Sequence, residues 1–144
     1  MNVIINKMSV ENANEINQLS TQLGYYISLQ ETQNQIKKVI ELKDHVALVA
    51  LSENIVIGWI HAFIAIRIES KPFIEIGGLV VDENFRNRSI GKRLVDSVAE
   101  WCMKENISAL RVRCNRKRKE AHLFYKKLKF LETKEQKIFQ LDLN

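Results

Sequence analysis

Three alternating apolar runs, separated by two short turns, constrain the fold of this chain more than any other feature. The runs are HVALVALS over 45–52, a long stretch beginning IVIGWIHAFIAI over 55–68, and FIEIGGLVV over 73–81. Glu53 and Asn54 separate the first pair, and the turn around Ser70 to Pro72 separates the second. Because such short connections join antiparallel neighbours, the pattern predicts a three-stranded antiparallel meander.

Helix and strand patterns flank the meander on both sides. Ser9 predicts one helix start, and Ser28 with Glu31 forms a capping box that predicts a second. The further elements predicted are strands over 1–7 and 108–114, helices over 89–105 and 119–127, and two strands in the tail from 132 to 143. The predicted order is therefore β-α-α-β-β-β-α-β-α-β-β. This is an α/β fold with a mixed, mostly antiparallel central sheet of about six to seven strands, flanked by about four helices.

Length and composition indicate one globular domain over residues 1–144. Hydrophobic residues make up 46% of the chain and charged residues 27%, without a Gly/Ser-rich linker or a repeat. No apolar window reaches about 18 residues, and the N-terminus has no secretory pattern. Cys102 and Cys114 are too few for a disulfide framework or a structural metal site. We therefore expect a cytoplasmic protein with reduced cysteines, no membrane partner and no metal.

The basic charge of the chain points to an anionic partner. Its net charge is +5 and its pI is near 9.3, which suits a nucleic acid, a membrane surface or a phosphorylated cofactor. The stretch FRNRSIGKRL, residues 85–94, concentrates this charge between the third strand of the meander and the following helix. Strand, basic loop and helix is a geometry in which free backbone amides bind phosphate.

Known phosphate motifs can be compared with this stretch. It lacks the first glycine and the final Ser/Thr of a Walker A loop, and it lacks the glycine spacing of a dinucleotide fingerprint. It does fit the pattern [QR]-x-x-G-x-[GA] over residues 86–91, with Ser89 in place of the first glycine. Downstream, NRKRKEAHLFYKKLKF places Asn115 before a helix whose characteristic residues are Ala121, Phe124, Tyr125, Leu128 and Phe130.

Together these motifs resemble the GNAT superfamily of acetyl-CoA-dependent N-acetyltransferases. LVVDENFRNRSIGKRLVDSVAEWC is similar to the family's strand, turn and helix without a gap, and the order of elements agrees over nearly the whole chain. Two residues depart from the family pattern. Ser89 replaces a glycine that lets the backbone approach the diphosphate, and Lys129 replaces a glycine expected at a left-handed helix C-cap.

The resemblance implies acetyl-CoA as cosubstrate and assigns its contacts. The backbone of strand residues Leu79, Val80 and Val81 is expected to run beside the pantetheine arm and to polarise the thioester carbonyl. Asn115 is expected to bond the pantetheine amides, or else to cap the next turn. The basic run over 116–119, including Arg118, is expected to reach the 3′-phosphate, or else to be a solvated helix start. The diphosphate is expected to bind the loop and helix-start residues Arg86, Asn87, Arg88, Ser89, Ile90, Gly91 and Lys92.

Two residues are expected to be catalytic. Tyr125 matches the residue that in many relatives protonates the departing thiolate, although a plain core aromatic would need no such role. Glu75 lies eleven residues before Arg86, the spacing of the catalytic base in the histone-modifying branch of the family. Its alternatives are an exposed glutamate or the partner of a neighbouring arginine such as Arg67. His61 is a second candidate base, and a bound water is a third.

The function predicted from this resemblance is acetyl transfer from acetyl-CoA to a primary amine, by direct attack in a ternary complex. The acceptor is a small amine, an aminoglycoside-like compound or a peptide amine, and relatives suggest a homodimer. The alternatives are a non-catalytic acyl-CoA-binding module of the same fold and a basic nucleic-acid-binding domain. The run Arg116, Lys117, Arg118, Lys119 favours nucleic acid, but no aromatic residues are interleaved with it for base stacking.

Overall fold

A five-stranded sheet forms the frame of the chain in a computed structural model, which describes residues 2–144. The strands lie side by side in chain order, antiparallel from the first to the fourth, while the fourth and fifth are parallel. The strands are β1 Val3–Lys7, β2 His45–Ser52, β3 Ile55–Ala65, β4 Phe73–Val81 and β5 Leu110–Val112. The helices are α1 Ala13–Thr21, α2 Leu29–Glu41, α3 Ile90–Lys104 and α4 Lys119–Lys127.

The described chain divides into two compact units. The first extends to Arg113 and contains the sheet with α1, α2 and α3; the second, Cys114–Asn144, contains α4 and the C-terminal tail. Two short 3-10 turns also belong to the first unit, Val10–Asn12 before α1 and Glu83–Phe85 between β4 and α3. No helix within residues 2–144 is long and apolar enough to cross a bilayer.

The helices of the first unit cover both faces of its sheet. A buried cluster that includes Ile16 of α1, Ile36 of α2 and Val49 of β2 joins the first two helices to one face, where Trp59 of β3 packs against it. A Cβ placed on Gly58 would approach Leu94 of α3 to 3.4 Å, so α3 lies on the opposite face. The capping box of α2 forms as predicted: Glu31 N–H donates to Ser28 Oγ, and Ser28 N–H donates to Glu31 Oε1.

A bulge interrupts the pairing of β3 with β4 and makes two glycines necessary. The register passes from His61 opposite Gly78 to Ala62 opposite Ile76, so Gly77 is the extra residue of β4. A Cβ at Gly77 would lie 2.9 Å from His61 Nδ1, and a Cβ at Gly78 would lie 2.7 Å from the Trp59 ring. Rings from β3 thus occupy the space where β4 would carry side chains.

The predicted fold class is confirmed, but the predicted number of strands is wrong. The sheet has five strands instead of six to seven, because residues 131–144 form no strand. Apolar side chains in this tail are exposed, including Phe139 at 89% and Leu143 at 87%. Alternation shows which face of a segment could be buried, but a strand also requires a hydrogen-bonded neighbour. Strand β3 likewise ends at Ala65, opposite the first residue of β4, whereas the apolar run continues to Ile68.

The second unit confirms the left-handed C-cap predicted at Lys129. This residue has a φ of 74°, and its N–H donates to the Lys126 carbonyl. Phe130 N–H donates to the Tyr125 carbonyl, and the two rings lie 5.3 Å apart. These two bonds and the ring contact form a Schellman motif, which normally takes glycine at the left-handed position. The lysine therefore costs stability on the order of 1 kcal/mol.

Candidate active site

One edge of β4 is left without a strand partner over its second half. β4 pairs with β5 only from Ile74 to Ile76, while its other edge pairs with β3 as far as Val81. The backbone of Leu79–Val81 therefore has ladder partners on one side only within residues 2–144. An unpaired strand edge offers N–H and C=O groups to an extended ligand, as predicted for these three residues.

The loop after β4 holds two residues in the left-handed conformation. Asn87 has a φ of 64° and Ser89, the N-cap of α3, has a φ of 61°. For a residue with a Cβ this conformation costs roughly 1–2 kcal/mol, so the family's glycine at the position of Ser89 is explained by backbone geometry. Strain of this kind is typical of ligand-binding loops.

The N-terminus of α3 is suited to an anion. The side chain of its N-cap residue, Ser89, makes no capping hydrogen bond, and its first turn contains no acidic residue. The amides of Ile90, Gly91 and Lys92 occupy the first positions of the helix, where N–H groups have no partner inside the helix. Gly91 carries no side chain, so no Cβ of this residue stands beside its N–H. These amides and the helix dipole favour negative charge at this point.

The basic side chains around the loop differ in their contacts. Lys92 Nζ lies 2.7 Å from Asp96 Oδ2 one turn along α3, so part of its charge is already neutralised. Arg88 places its guanidinium over the Phe85 ring, at 5.3 Å from the centroid. Arg86 is exposed at the end of the 3-10 turn. The sequence predicted all three as ligands of one diphosphate, and that assignment stays a prediction.

Glu75 lies near the start of β4 and is held by an arginine. Its Oε1 accepts a hydrogen bond from Arg113 Nε at 3.2 Å, and 15% of its side chain is exposed. The alternative role of arginine partner is thus fulfilled, but by Arg113 instead of Arg67, whose guanidinium lies over Phe73. In the parallel pairing of β4 with β5, Glu75 lies opposite Arg111. The carboxylate therefore lies beside β5 and the residue that follows it. The ion pair keeps the carboxylate in one position.

His61 belongs to a pair of histidines on the same sheet face as Glu75. His45 Nδ1 lies 2.8 Å from His61 Nε2, and the ring planes are within 9° of parallel. Glu75 faces Phe63 across the β3–β4 ladder, and Phe63 contacts both imidazoles. Burial, followed by the neighbouring His45, lowers the pKa of His61 to about 4. His61 is therefore neutral at physiological pH and keeps one nitrogen as a hydrogen-bond acceptor.

Tyr125 lies in the second unit on α4. It is buried, and its ring makes edge contacts with Phe124 and Phe130. Burial raises the pKa of its phenol, the neighbouring Cys114 raises it further, and Arg118 opposes the shift. The phenol is therefore protonated throughout the neutral range, which is the form that a proton donor requires.

Asn115 and the basic run 116–119 begin the second unit. Asn115 Oδ1 accepts a hydrogen bond from Lys117 N–H at 2.9 Å, and the Asn115 carbonyl accepts from Arg118 N–H. The alternative of turn capping is therefore realised by the Asn115 side-chain oxygen. Its amide nitrogen is left for another partner, and the four cations of the run are exposed.

Several features of the site were missed at the level of sequence. The Gly77 bulge, the His45 contact and the Arg113 partner all depend on strand register, which one sequence does not specify. The pair Gly77-Gly78 inside an apolar strand was a usable indication, because adjacent glycines in a strand often mark a bulge or a close approach. The structure joins β4, the loop and α3 in the first unit, whereas Asn115, Arg118 and Tyr125 lie in the second.

Comparison with known proteins decides the family. The sequence model described as the Acetyltransferase (GNAT) family matches residues 12–130. The chain belongs to the GNAT acetyltransferase family. It is accordingly an acetyl-CoA-dependent N-acetyltransferase, and the resemblance of its motifs is confirmed.

Solved structures of GNAT enzymes share its fold. An aminoglycoside 6′-N-acetyltransferase of Acinetobacter haemolyticus is 18% identical with a TM-score of 0.86, and the match covers 100% of both chains. Glucosamine-6-phosphate N-acetyltransferase of Arabidopsis thaliana is 19% identical with a TM-score of 0.84, and the match covers 99% of this chain and 100% of that one. A GNAT acetyltransferase of Staphylococcus aureus is 21% identical with a TM-score of 0.81, and the match covers 98% of this chain and 100% of that one. A search of curated protein sequences found no match.

The residues present fit acetyl-CoA as the cosubstrate of this GNAT enzyme. An unpaired strand edge leads into an uncapped helix N-terminus, so an extended amide-bearing arm and a diphosphate would find backbone partners in that order. Within residues 2–144, no cluster of three or more His, Cys, Asp or Glu side chains is arranged to hold a metal ion.

The protonation of Tyr125 can be tested directly. We expect the phenolate absorbance near 295 nm that is lost in Tyr125→Phe to appear well above pH 10, the ordinary value for tyrosine, because burial disfavours the charged form. The measurement is a spectrophotometric titration of wild type minus variant. A difference spectrum that titrates at or below pH 10 would contradict the buried, neutral phenol.

Proposed function

We propose that this GNAT enzyme acetylates a primary amine of a small acceptor by direct attack in a ternary complex. The observation that carries the proposal is the free edge of β4 leading into the uncapped start of α3. Two of the three structural neighbours described above are named for acetylation of amino sugars, which makes aminoglycosides and glucosamine phosphates the first acceptors to assay. Polyamines and peptide amines complete the set.

The cosubstrate would be held by the backbone of the first unit. Along Leu79, Val80 and Val81, alternate residues direct their backbone N–H and C=O to the free edge for the pantetheine arm, and residues from Asn87 to Lys92 provide amides for the diphosphate, with charge from Arg86 and Arg88. When bound there, acetyl-CoA supplies the activated acetyl group. An N–H of β4 directed at the thioester oxygen would stabilise the negative charge that develops on it, without reorganisation.

Asn115 and Arg118 of the second unit complete the proposed cosubstrate contacts. The Asn115 amide nitrogen, not engaged in its own turn, would donate to a carbonyl of the pantetheine arm. The exposed Arg118 would contribute charge toward the 3′-phosphate. Tyr125, protonated at neutral pH, would donate its proton to the departing sulfur.

On the face of β3 and β4, two side chains are candidates to remove the proton of the amine. Glu75 is the first candidate, because its carboxylate is partly exposed and Arg113 fixes its position. The ion pair also occupies Oε1, which leaves Oε2 to accept the proton directly or through water. His61 is the alternative, since its neutral ring has an acceptor nitrogen.

Three further predictions remain proposals. The family match crosses the boundary between the two units, which supports one domain over the whole chain. Both cysteines are free, and burial raises the pKa of each thiol, which is consistent with a reducing cytoplasmic compartment. The exposed apolar residues of the tail, among them Phe139 and Leu141, support a homodimer.

The function is tested by thiol release from acetyl-CoA with the acceptor set, in wild type and two conservative variants. We expect Tyr125→Phe to lower kcat by about ten- to a thousandfold because it loses the proton donor. Glu75→Gln should lower kcat with little change in acetyl-CoA affinity if Glu75 is the base.

Binding of acetyl-CoA without turnover on any amine would instead favour a non-catalytic acyl-CoA-binding module. Binding of an oligonucleotide but not acetyl-CoA would favour a nucleic-acid-binding domain.

Ser89 provides a separate test of the diphosphate site. Its hydroxyl makes no capping bond to α3, so we expect it to donate to the diphosphate. Ser89→Ala should then weaken CoA binding about fivefold by calorimetry, the value of one hydrogen bond near 1 kcal/mol. Ser89→Gly should raise the free energy of unfolding by about 1 kcal/mol because it relieves the left-handed strain. Unchanged CoA affinity in Ser89→Ala would remove the hydroxyl from the site.

A further inference from the structure

The histidine pair has one free ring nitrogen at each end. His61 Nε2 and His45 Nδ1 are joined at 2.8 Å, which leaves His61 Nδ1 and His45 Nε2. His61 Nδ1 lies against Gly77, where a Cβ would be 2.9 Å from it, and Gly77 is exposed at the β4 bulge. His45 Nε2 lies 3.9 Å from Asp44 Oδ1, a carboxylate whose side chain is 55% exposed. The two rings therefore connect the bulge of β4 to a surface carboxylate.

The nearest negative charge favours one of the two tautomer arrangements of the pair. The Asp44 carboxylate favours a hydrogen on His45 Nε2, so His45 Nδ1 is the acceptor in the bond between the rings. His61 then donates from Nε2, and its Nδ1 carries a free lone pair beside Gly77. Phe63 contacts both imidazoles and keeps them aligned. The other charged groups on this face are Glu75 with its partner Arg113, and Arg67 and Arg111, whose guanidinium groups lie over the Phe73 ring.

We propose that His61 and His45 form a proton relay that carries the proton released by the acceptor amine from the β4 bulge to Asp44 and solvent. The proposal rests on the proposed acetyl transfer to an amine; of the two candidate bases it selects His61 in place of Glu75, with His45 as the residue that passes the proton on. Nothing in the family match or in the names of the neighbours assigns a role to either residue.

Each transfer along the relay is balanced. The N–H bond of the attacking amine breaks as an N–H bond forms at His61 Nδ1. The hydrogen on His61 Nε2 moves to His45 Nδ1, and the hydrogen on His45 Nε2 leaves to the Asp44 carboxylate or to water. Both rings end neutral, and exchange with solvent restores the starting tautomers. Burial makes His61 a poor place to keep a positive charge, so the proton is favoured to move on to His45 and from there toward the exposed Asp44.

Substitution of His45 separates a relay from packing. His45→Asn retains an oxygen that can accept the hydrogen bond from His61 Nε2, but it cannot pass the proton on. We expect His45→Asn to lower kcat at least tenfold, with the stabilisation by acetyl-CoA in a thermal shift unchanged. The pH at which kcat falls on the acidic side of its profile should also differ between this variant and wild type. His45→Ala should be slow and should recover on addition of imidazole to the buffer.

The free protein provides a second measurement that needs no acceptor. Histidine ¹⁵N correlation spectra at pH 7 should show that His61 carries its hydrogen on Nε2 and none on Nδ1. A hydrogen on His61 Nδ1 would overturn the relay whether or not any amine is acetylated. Full kcat in a folded His45→Asn variant would overturn it as well, and loss of turnover confined to Glu75→Gln would assign the base to Glu75. Absence of turnover by wild type on every amine would count against the proposed function, while the spectra still decide the tautomers.

Discussion

The ladder between β3 and β4, with its bulge at Gly77, is the constraint on which the site depends. Aromatic side chains of β3 extend across β4 at Gly77 and Gly78, where any Cβ would collide with them. Because Gly77 and Gly78 have no side chains, Trp59 and His61 fill the space beside them. Trp59 packs against the buried cluster, and His61 contacts His45. The same strand keeps its outer edge free beyond Ile76. A single strand thus provides both a packed face and an open edge of backbone amides.

The backbone is also strained in the loop where the cosubstrate would bind. Asn87 and Ser89 both adopt a left-handed backbone just before α3, and neither is a glycine. In this conformation the loop turns from the 3-10 segment into the helix so that the first amides of α3 have no capping side chain. The cost is of the order of 1–2 kcal/mol per residue, which the buried first turn of α3, with Ile90 and Leu94, can offset.

Much of this arrangement could be predicted from local patterns. The bounds of β2, β4 and α4 agree with the sequence prediction, because turn residues and periodicity delimit them. The apolar tail and the residues from Ile66 to Ile68 did not become strands, since pairing requires a neighbour that periodicity does not reveal. Glu75 was singled out by its spacing, but its partner Arg113 directly follows the parallel strand β5, far along the chain. The sequence prediction treated His61 as a single residue, because its contact with His45 depends on how β2 pairs with β3.

We propose that the edge of β4 and the start of α3 together bind the cosubstrate of this GNAT enzyme. The most direct measurement is a titration of the ¹⁵N-labelled protein with CoA, followed through its backbone amide resonances. We expect the largest shifts at Leu79–Val81 and at Ile90, Gly91 and Lys92. Shifts confined to the exposed run of residues 116–119, with those amides unmoved, would contradict it.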